Sequence, residues 1–231
     1  MIENKRFAFL RTQNHNLKTM LLFGTGLVLL FVITYLFVYR QRSDREIRTN
    51  TYRLTVEEQS LLQEGDVILR HGFGLISDAI VKYAHDPCPV SHCGIIVKDS
   101  SGQWAVIHTV SNVLADIDGM QQDGLEKFVV ESHPGSVIVL RFRYTDEVST
   151  SKIAQQATYY LTRQIPFDHR FDAADTSAFF CTELIQNVFN KAINIDLYAQ
   201  PSGKNVNCLT FAPLLDTNKF VVIVNHGQVD K

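Results

Sequence analysis

The apolar positions of the chain follow different spacings, and each spacing predicts a different kind of element. Residues 20–39 contain no charged side chain, and about 20 apolar residues is the length that a helix needs to cross a bilayer. Short runs rich in β-branched and apolar residues predict strands at 67–70, 91–97, 103–110, 137–142 and 220–224. Apolar residues that recur every three to four positions predict helices near 75–83, 149–161 and 181–189.

The order of these elements predicts the fold class. The strands at 91–97 and 103–110 are separated by a short polar turn, which is typical of an antiparallel hairpin. The helices come before and after the strands and do not alternate with them, so we expect an α+β domain with an antiparallel β-sheet packed against helices. The predicted organisation is a short tail at 1–19, a transmembrane helix at 20–39, a juxtamembrane linker at 40–50 and a globular domain at 51–231.

The apolar stretch at 20–39 is interpreted as an uncleaved membrane anchor. A secretory signal peptide has a shorter apolar core, of about 7–15 residues, followed by a small-residue cleavage site, and residues 37–40 offer no such site. The expected partner of this stretch is the lipid bilayer. Four basic residues precede it and four follow it, so the positive-inside rule does not choose an orientation.

Composition excludes one class of function. The formal net charge of −2 gives no bulk attraction to nucleic acid, and the basic residues form no stripe interleaved with aromatic side chains. We therefore expect no nucleic-acid partner. The apolar fraction of 45% is sufficient for the core of one ordinary domain.

The candidate chemistry centres on Cys181. It is predicted to stand at the start of a helix, where the positive end of the helix dipole favours the thiolate. His92 lies on a predicted strand, and a cysteine with a histidine forms a nucleophile and its base. Since side chains alternate along a strand, only one of His92 and Cys93 is expected to face this site, with Gly94 leaving room beside His92 for the helix start. His108, across the hairpin, is the candidate for a third group that orients the imidazole of His92.

Other uses of these residue types were weighed against this interpretation. A buried cysteine is more often an inert small hydrophobe, and a strand histidine is more often a core residue. The chain has four cysteines; if Cys181 stays free, at most one disulfide forms, and Cys88–Cys93 is considered beside the alternative in which all thiols are free. Structural zinc needs a second close pair of ligands besides Cys88 and Cys93, so no metal and no cofactor are predicted. Cys208 has no assigned partner.

Other residues have simpler interpretations. Four histidines in loops or at strand ends are expected to be solvated: His85, His133, His169 and His226. The stretch 111–126 is expected to be a loop that helps to form a substrate groove. The chain contains no G-x-S-x-G motif and no phosphate-binding loop, so a serine hydrolase and a nucleotide-binding site are not supported.

Three stretches of the sequence, in this order, resemble the YiiX-like branch of the permuted NlpC-type papain-fold cysteine hydrolases. They are Gly65-Asp66-Val67-Ile68-Leu69-Arg70, Ser91-His92-Cys93-Gly94-Ile95-Ile96-Val97 and Phe180-Cys181-Thr182-Glu183-Leu184-Ile185. In this branch the histidine precedes the cysteine, an order shared with lecithin:retinol acyltransferase-like proteins. The resemblance implies a permuted papain-like domain in which Cys181 is the nucleophile and His92 the base. It places the third polar position on the next strand, where this chain has His108 although an acidic residue is often expected.

The resemblance also implies a class of reaction. We expect a membrane-anchored cysteine hydrolase or acyltransferase that acts on an amide or ester bond of an acyl-lipid or peptide substrate through an acyl-enzyme. Because the class is secreted, the domain is expected on the periplasmic or extracytoplasmic side of the membrane. The alternative is a catalytically inactive lipid- or peptide-binding domain of the same fold.

Overall fold

The structure, a computed structural model, describes residues 2–112, 117–144, 146–173, 175–199 and 210–227. Side chains are described from residue 20 onward, apart from residue 22. The chain divides into two compact units, Met1–Arg45 and Glu46–Lys231. Cys208 lies outside the described residues, as do residues 113–116 of the predicted groove loop.

The described part of the chain contains seven helices or helical turns and six strands. The α-helices are α1 (Ile2–Thr49), α2 (Val56–Ser60), α3 (Leu75–Ala84), α4 (Leu125–Val130), α5 (Glu147–Thr162) and α6 (Cys181–Ile193), and a single 3-10 turn spans Ala212–Leu214. The strands are β1 (Val67–Arg70), β2 (His92–Lys98), β3 (Trp104–Val110), β4 (Gly119–Gly124), β5 (Ile138–Phe142) and β6 (Phe220–Asn225).

The first unit is one long helix. The segment Phe23–Thr49 of α1 contains an 18-residue window with a mean hydropathy of 1.7, and it is long and apolar enough to cross a membrane, although the same features are found in signal sequences. The stretch 40–50, predicted as a linker, continues α1 as far as Thr49. Its charged residues suit an exposed helix, because arginine, glutamine and glutamate are good helix formers.

The strands of the second unit form one antiparallel sheet, as predicted. Its order is β4-β3-β2-β1-β5-β6, so β1 and β2 are central and β4 is an outer strand. The prediction of a loop over residues 111–126 was wrong here, because residues 119–124 form β4. Its residues, Gly119-Met120-Gln121-Gln122-Asp123-Gly124, lack a β-branched run, and they become a strand by pairing with β3 from Ala105↔Gly124 to Val110↔Gly119.

Two apolar clusters cover the two faces of the sheet. On the face that carries Cys93 and Ile95, the strands pack against α5 and α6. On the opposite face, Ile68 and Ile96 pack against α4 through Phe128. Residues two apart on one strand share a face, so this alternation decides which side chains meet at each end of the sheet.

Candidate active site

Cys181 is the first residue of α6, where the sequence analysis predicted it. The helix is held against the sheet by a buried stripe that includes Leu184, Ile185 and Val188. Phe179, two residues before Cys181, forms a β-bridge with Phe167. The Phe179 carbonyl accepts a hydrogen bond of 3.2 Å from Thr109 Oγ1 on β3. These contacts fix the position at which the chain turns into the helix and presents the thiol.

His92 and His108 lie on the same face of the sheet. The register pairs Ile95 with Ile107 and Ile96 with Val106, which sets Gly94 opposite His108 and brings the two imidazoles together. His92 Nε2 and His108 Nδ1 are 2.9 Å apart, a hydrogen bond. The structure therefore brings together the two histidines that the sequence suggested as a pair.

The hydrogen-bonded chain continues to a residue that sequence reasoning missed. His108 Nε2 lies 3.2 Å from Asp123 Oδ2, and Lys127 Nζ lies 2.8 Å from Asp123 Oδ1. Asp123 stands on β4, two positions along the same face from Gln121, which pairs with His108. The sequence contains one sign of this role: Asp123 is two residues from Gln121, as for side chains on one face of a strand, and Lys127 follows four residues later. The prediction of a loop for this segment concealed it.

These contacts define the tautomer of each ring. Hydrogen bonds to His108 and Lys127 hold the pKa of Asp123 far below its usual range, so the carboxylate is ionised and only accepts hydrogen bonds. His108 must then carry its proton on Nε2, and its bare Nδ1 accepts a hydrogen bond from His92 Nε2–H. His92 is left with an unprotonated Nδ1, which is the ring nitrogen available to Cys181.

Burial keeps both imidazoles uncharged at neutral pH. It lowers the pKa of His92 to about 4, against a smaller opposing effect of the Cys181 sulfur. It also lowers the pKa of His108, which is 2% exposed. The ring of Phe128 contacts both, with centroid distances of 5.8 Å to His92 and 5.3 Å to His108, and this apolar contact maintains their low-dielectric environment.

The expected division of His92 and Cys93 between two faces holds, but the conclusion that only one of them reaches the site was wrong. Both side chains interact with Cys181, so the start of α6 lies beside the first two residues of β2. Hydrogen bonding by the Cys93 thiol, followed by that of His92, lowers the pKa of Cys181 well below the ordinary value of a thiol. Burial raises the pKa of Cys93, so this neighbour stays protonated and donates.

Gly94 has a different role from the one predicted. A Cβ atom at this position would lie 2.5 Å from Val106 Cγ1 and 3.1 Å from His108 Cβ. The missing side chain thus makes room for β3 and for the His108 ring, whereas α6 lies on the Cys93 side of the sheet. The correction follows from the register, which the sequence does not specify.

A buried acid follows the nucleophile by two residues in the chain. Glu183, in the first turn of α6, is 1% exposed. Its Oε2 accepts a hydrogen bond of 3.3 Å from the Phe180 amide, while its buried Oε1 has no partner. Burial raises the pKa of Glu183 to about 8, so at neutral pH the carboxyl is mostly protonated.

Cys181, His92 and His108 open into a cleft of about 1350 Å³. Much of its wall is apolar and includes Phe73, Ile76, Ile80, Phe167 and Phe171. Several described residues of the predicted groove loop, such as Ile117 and Met120, also line the cleft. A thiol that is partly exposed at the floor of such a cleft is accessible to a substrate.

The remaining predicted residues lie elsewhere. Cys88 is a buried free thiol whose pKa is raised by burial to about 12, and Cys93 is likewise free, so the structure contains no disulfide between them. His133 and His226 are not the solvated side chains that were expected. His226 hydrogen-bonds to Tyr52 and Glu58, and His133 has a buried Nε2.

The comparisons with known proteins agree with this fold. The family model of the permuted papain-like amidases, YaeF/YiiX, C92 family, matches residues 61–208, which is 148 of 231 residues. Among solved structures, the chain is similar to the metalloprotein YiiX from Escherichia coli O157:H7, with a TM-score of 0.56 and 17% sequence identity. That match covers 71% of this chain and 97% of the other, and at this identity it shows a shared fold. No functionally curated protein matches the chain. With its histidine strand preceding its cysteine helix, the chain belongs to the C92 family of permuted papain-like amidases.

Proposed function

We propose that the protein is a membrane-anchored cysteine hydrolase that cleaves an acyl amide or ester bond with Cys181 as nucleophile. The observation that carries the proposal is the continuous hydrogen-bonded chain from Cys181 through His92 and His108 to Asp123. A nucleophile in contact with a base, which is itself oriented by a third group, is the arrangement that thiol catalysis requires.

The first half of the reaction uses the protonation states described above. His92 Nδ1 takes the proton of the Cys181 thiol as the sulfur attacks the acyl carbonyl carbon, and the carbonyl electrons move onto oxygen. Cys181 is the first residue of α6, so its N–H has no acceptor within the helix and is a donor for the developing oxyanion. The His92 imidazolium then gives this proton to the departing amine or alcohol as the carbonyl re-forms and the C–N or C–O bond breaks, which leaves a thioester on Cys181.

The second half regenerates the enzyme. Water, deprotonated by His92, attacks the thioester and releases the acid. An alcohol or amine in the place of water would give the acyltransferase outcome that the sequence resemblance also implied. His108 and Asp123 act as positioning residues, because they hold the His92 ring in the tautomer that exposes Nδ1.

The cleft supports a substrate with an extended apolar part. Its volume exceeds the roughly 300–1,000 Å³ of ordinary small-molecule sites. Its wall carries the rings of Phe73, Phe167 and Phe171 beside the thiol. An acyl-lipid, or a peptide joined to an apolar group, fits this environment better than a small polar amide.

The membrane anchor and its orientation belong to the same proposal. The apolar helix at the amino terminus supports attachment to a bilayer. The catalytic unit is proposed on the extracytoplasmic side because the hydrolase class that the sequence resembles is secreted. Protease digestion of spheroplasts, in which the cytoplasmic membrane is the remaining barrier, is compared with digestion of lysed spheroplasts to test the orientation. Degradation of the catalytic unit only after lysis would contradict it.

The catalytic proposal is tested with the full chain in detergent micelles. Panels of acyl amides, phospholipids and muropeptides are assayed with the wild type and with Cys181→Ser, His92→Gln and Cys88→Ala. We expect loss of roughly 10²-fold or more in kcat for the first two variants and none for Cys88→Ala, which removes a buried thiol away from the cleft. Turnover by Cys181→Ser at the wild-type rate would refute the role of Cys181.

A further inference from the structure

Three potential metal ligands that the active site does not use lie close together on the second unit. They are His71, Asp78 and His133, and one ligand atom from each lies within 4.8 Å of the other two. None of the three side chains lines the active-site cleft. Their proximity therefore needs its own explanation.

The fold fixes the three residues from separate elements. His71 directly follows β1, and Asp78 stands in the first turn of α3. His133 is brought beside His71 by a short bridge between Gly72 and Ser132, in which the His133 amide donates a 2.8 Å hydrogen bond to the His71 carbonyl. The side chains are thus held by backbone contacts that do not depend on the side chains themselves.

The ring of His133 is held in place on two sides. Its centroid is 4.4 Å from that of His71 and 4.2 Å from that of Phe73. Its Nε2 atom is nevertheless buried without a hydrogen-bond partner. It lies 3.8 Å from Asp78 Oδ1, which is too long for a hydrogen bond.

A buried imidazole nitrogen without a hydrogen-bond partner destabilises the folded state if nothing binds it. A hydrogen bond between His71 Nε2 and Asp78 Oδ1, at 2.9 Å, accounts for those two side chains but leaves His133 unexplained. A single cation between the three would account for all of them. It would replace the shared proton of His71 and Asp78 and give His133 Nε2 a partner.

The distances suit a tetrahedral ion. With zinc–ligand bonds of about 2.0–2.1 Å, two ligands of a tetrahedral centre lie about 3.3 Å apart. The separations from Asp78 Oδ1, 2.9 Å to His71 Nε2 and 3.8 Å to His133 Nε2, lie on either side of this value. Small movements of the side chains would equalise them.

The donor set selects the class of metal. Two imidazole nitrogens and one carboxylate suit zinc and related first-row divalent ions, whereas calcium and magnesium prefer oxygen ligands alone. The side chains of His71, Asp78 and His133 are 17%, 39% and 35% exposed, so water can reach a fourth coordination position. We infer that His71, Asp78 and His133 form a zinc-binding site that ties α3 to the bridge between Gly72 and Ser132.

The site is tested by metal binding to the full chain in detergent micelles. The protein is stripped with a chelator, and Zn²⁺ is titrated against a chromogenic competitor. We expect one tight equivalent and a rise in the temperature of unfolding on addition of zinc. In Co²⁺-substituted protein, the spectrum is expected to lack the sulfur-to-metal charge-transfer band, because all three ligands are nitrogen or oxygen.

Variants separate this site from the thiols and from a purely structural contact. Asp78→Asn keeps an oxygen that accepts the hydrogen bond from His71 but removes the charge, and His133→Gln removes the third ligand. We expect each to weaken zinc binding by roughly 100-fold. His85→Asn, a histidine outside the cluster at the carboxyl end of α3, and Cys181→Ala are both expected to keep the full equivalent.

Three results would overturn the inference. They are a wild type that binds no zinc, an Asp78→Asn variant that binds it as tightly as the wild type, and loss of the equivalent in Cys181→Ala. Near-wild-type Trp104 fluorescence of each metal-free variant controls for folding. If His133→Gln does not fold, Asp78→Asn still decides the question, because its hydrogen bond to His71 is retained.

Discussion

Replacement of Glu183 by glutamine is expected to stabilise the protein at alkaline pH. The folded state raises the pKa of this carboxyl from an ordinary 4.5 to about 8 because the group is buried. A raised pKa means that the protonated form contributes its full stability below about pH 4.5, and that this contribution is lost as the pH rises through about 8. Glutamine carries no charge at any pH, so the variant escapes this loss.

The size of the effect follows from the two pKa values. The interval is about 3.5 pH units, and at 1.36 kcal/mol per unit it corresponds to about 5 kcal/mol above pH 8. Relaxation of the chain around the charge reduces this figure, so we expect about 2–3 kcal/mol in the measurement. The side-chain amide can still accept the hydrogen bond from the Phe180 amide, so the start of α6 is preserved.

The measurement is chemical unfolding of the full chain in detergent, followed by the fluorescence of Trp104, the single tryptophan. The wild type and Glu183→Gln are compared at about pH 5, 7 and 9. Glu147→Gln is the matched control, because Glu147 lies in the first turn of α5 but is exposed. Parallel stability curves for the wild type and Glu183→Gln between pH 5 and 9 would refute the reasoning.

Three further predictions concern residues around the thiol and the two histidines. Cys93→Ala removes the hydrogen bond that most lowers the pKa of Cys181, so the pH midpoint of Cys181 labelling by iodoacetamide is expected to rise. Cys88→Ala is the control and should leave this midpoint unchanged. An unchanged midpoint in Cys93→Ala would contradict the reasoning. Asp123→Asn removes the carboxylate that fixes the tautomer of His108, and kcat is expected to fall by roughly 10²-fold with little change in KM; a change confined to KM would mean that Asp123 contacts substrate instead. Gly94→Ala forces a Cβ to within 2.5 Å of a β3 side chain, and unfolding studies are expected to show a loss of about 1–3 kcal/mol; wild-type stability would exclude this close approach.

Much of the catalytic geometry could be predicted because it depends on local patterns. Cys181 at the head of an amphipathic helix and His92 at the start of a strand follow from residue spacing, and both positions were confirmed. The short helix α2 also depends on local residues, because Thr55 and Glu58 form the reciprocal cap at its start. Such features need only neighbours within a few residues.

What the sequence missed depends on pairing between distant segments. Asp123 joins the site only because β4 pairs with β3, and the polar β4 lacks the β-branched residues that predict a strand. The role of Gly94 was misjudged because the register of β2 and β3 decides which neighbour fills its space. His71 was passed over and His133 was read as solvated because the bridge between Gly72 and Ser132 that brings them together leaves no periodic signal.

The chain of hydrogen bonds ends on the outer strand of the described sheet, and this affects how the activity would be lost. β4 has one paired neighbour, β3, whereas the strand that carries His92 has two. Outer strands open locally at a lower free energy than central ones. Fraying of β4 would separate Asp123 from His108 while most of both apolar clusters stays packed, so activity would be lost before the domain unfolds. Amide hydrogen exchange at residues 119–124 would therefore follow inactivation more closely than any measure of global stability.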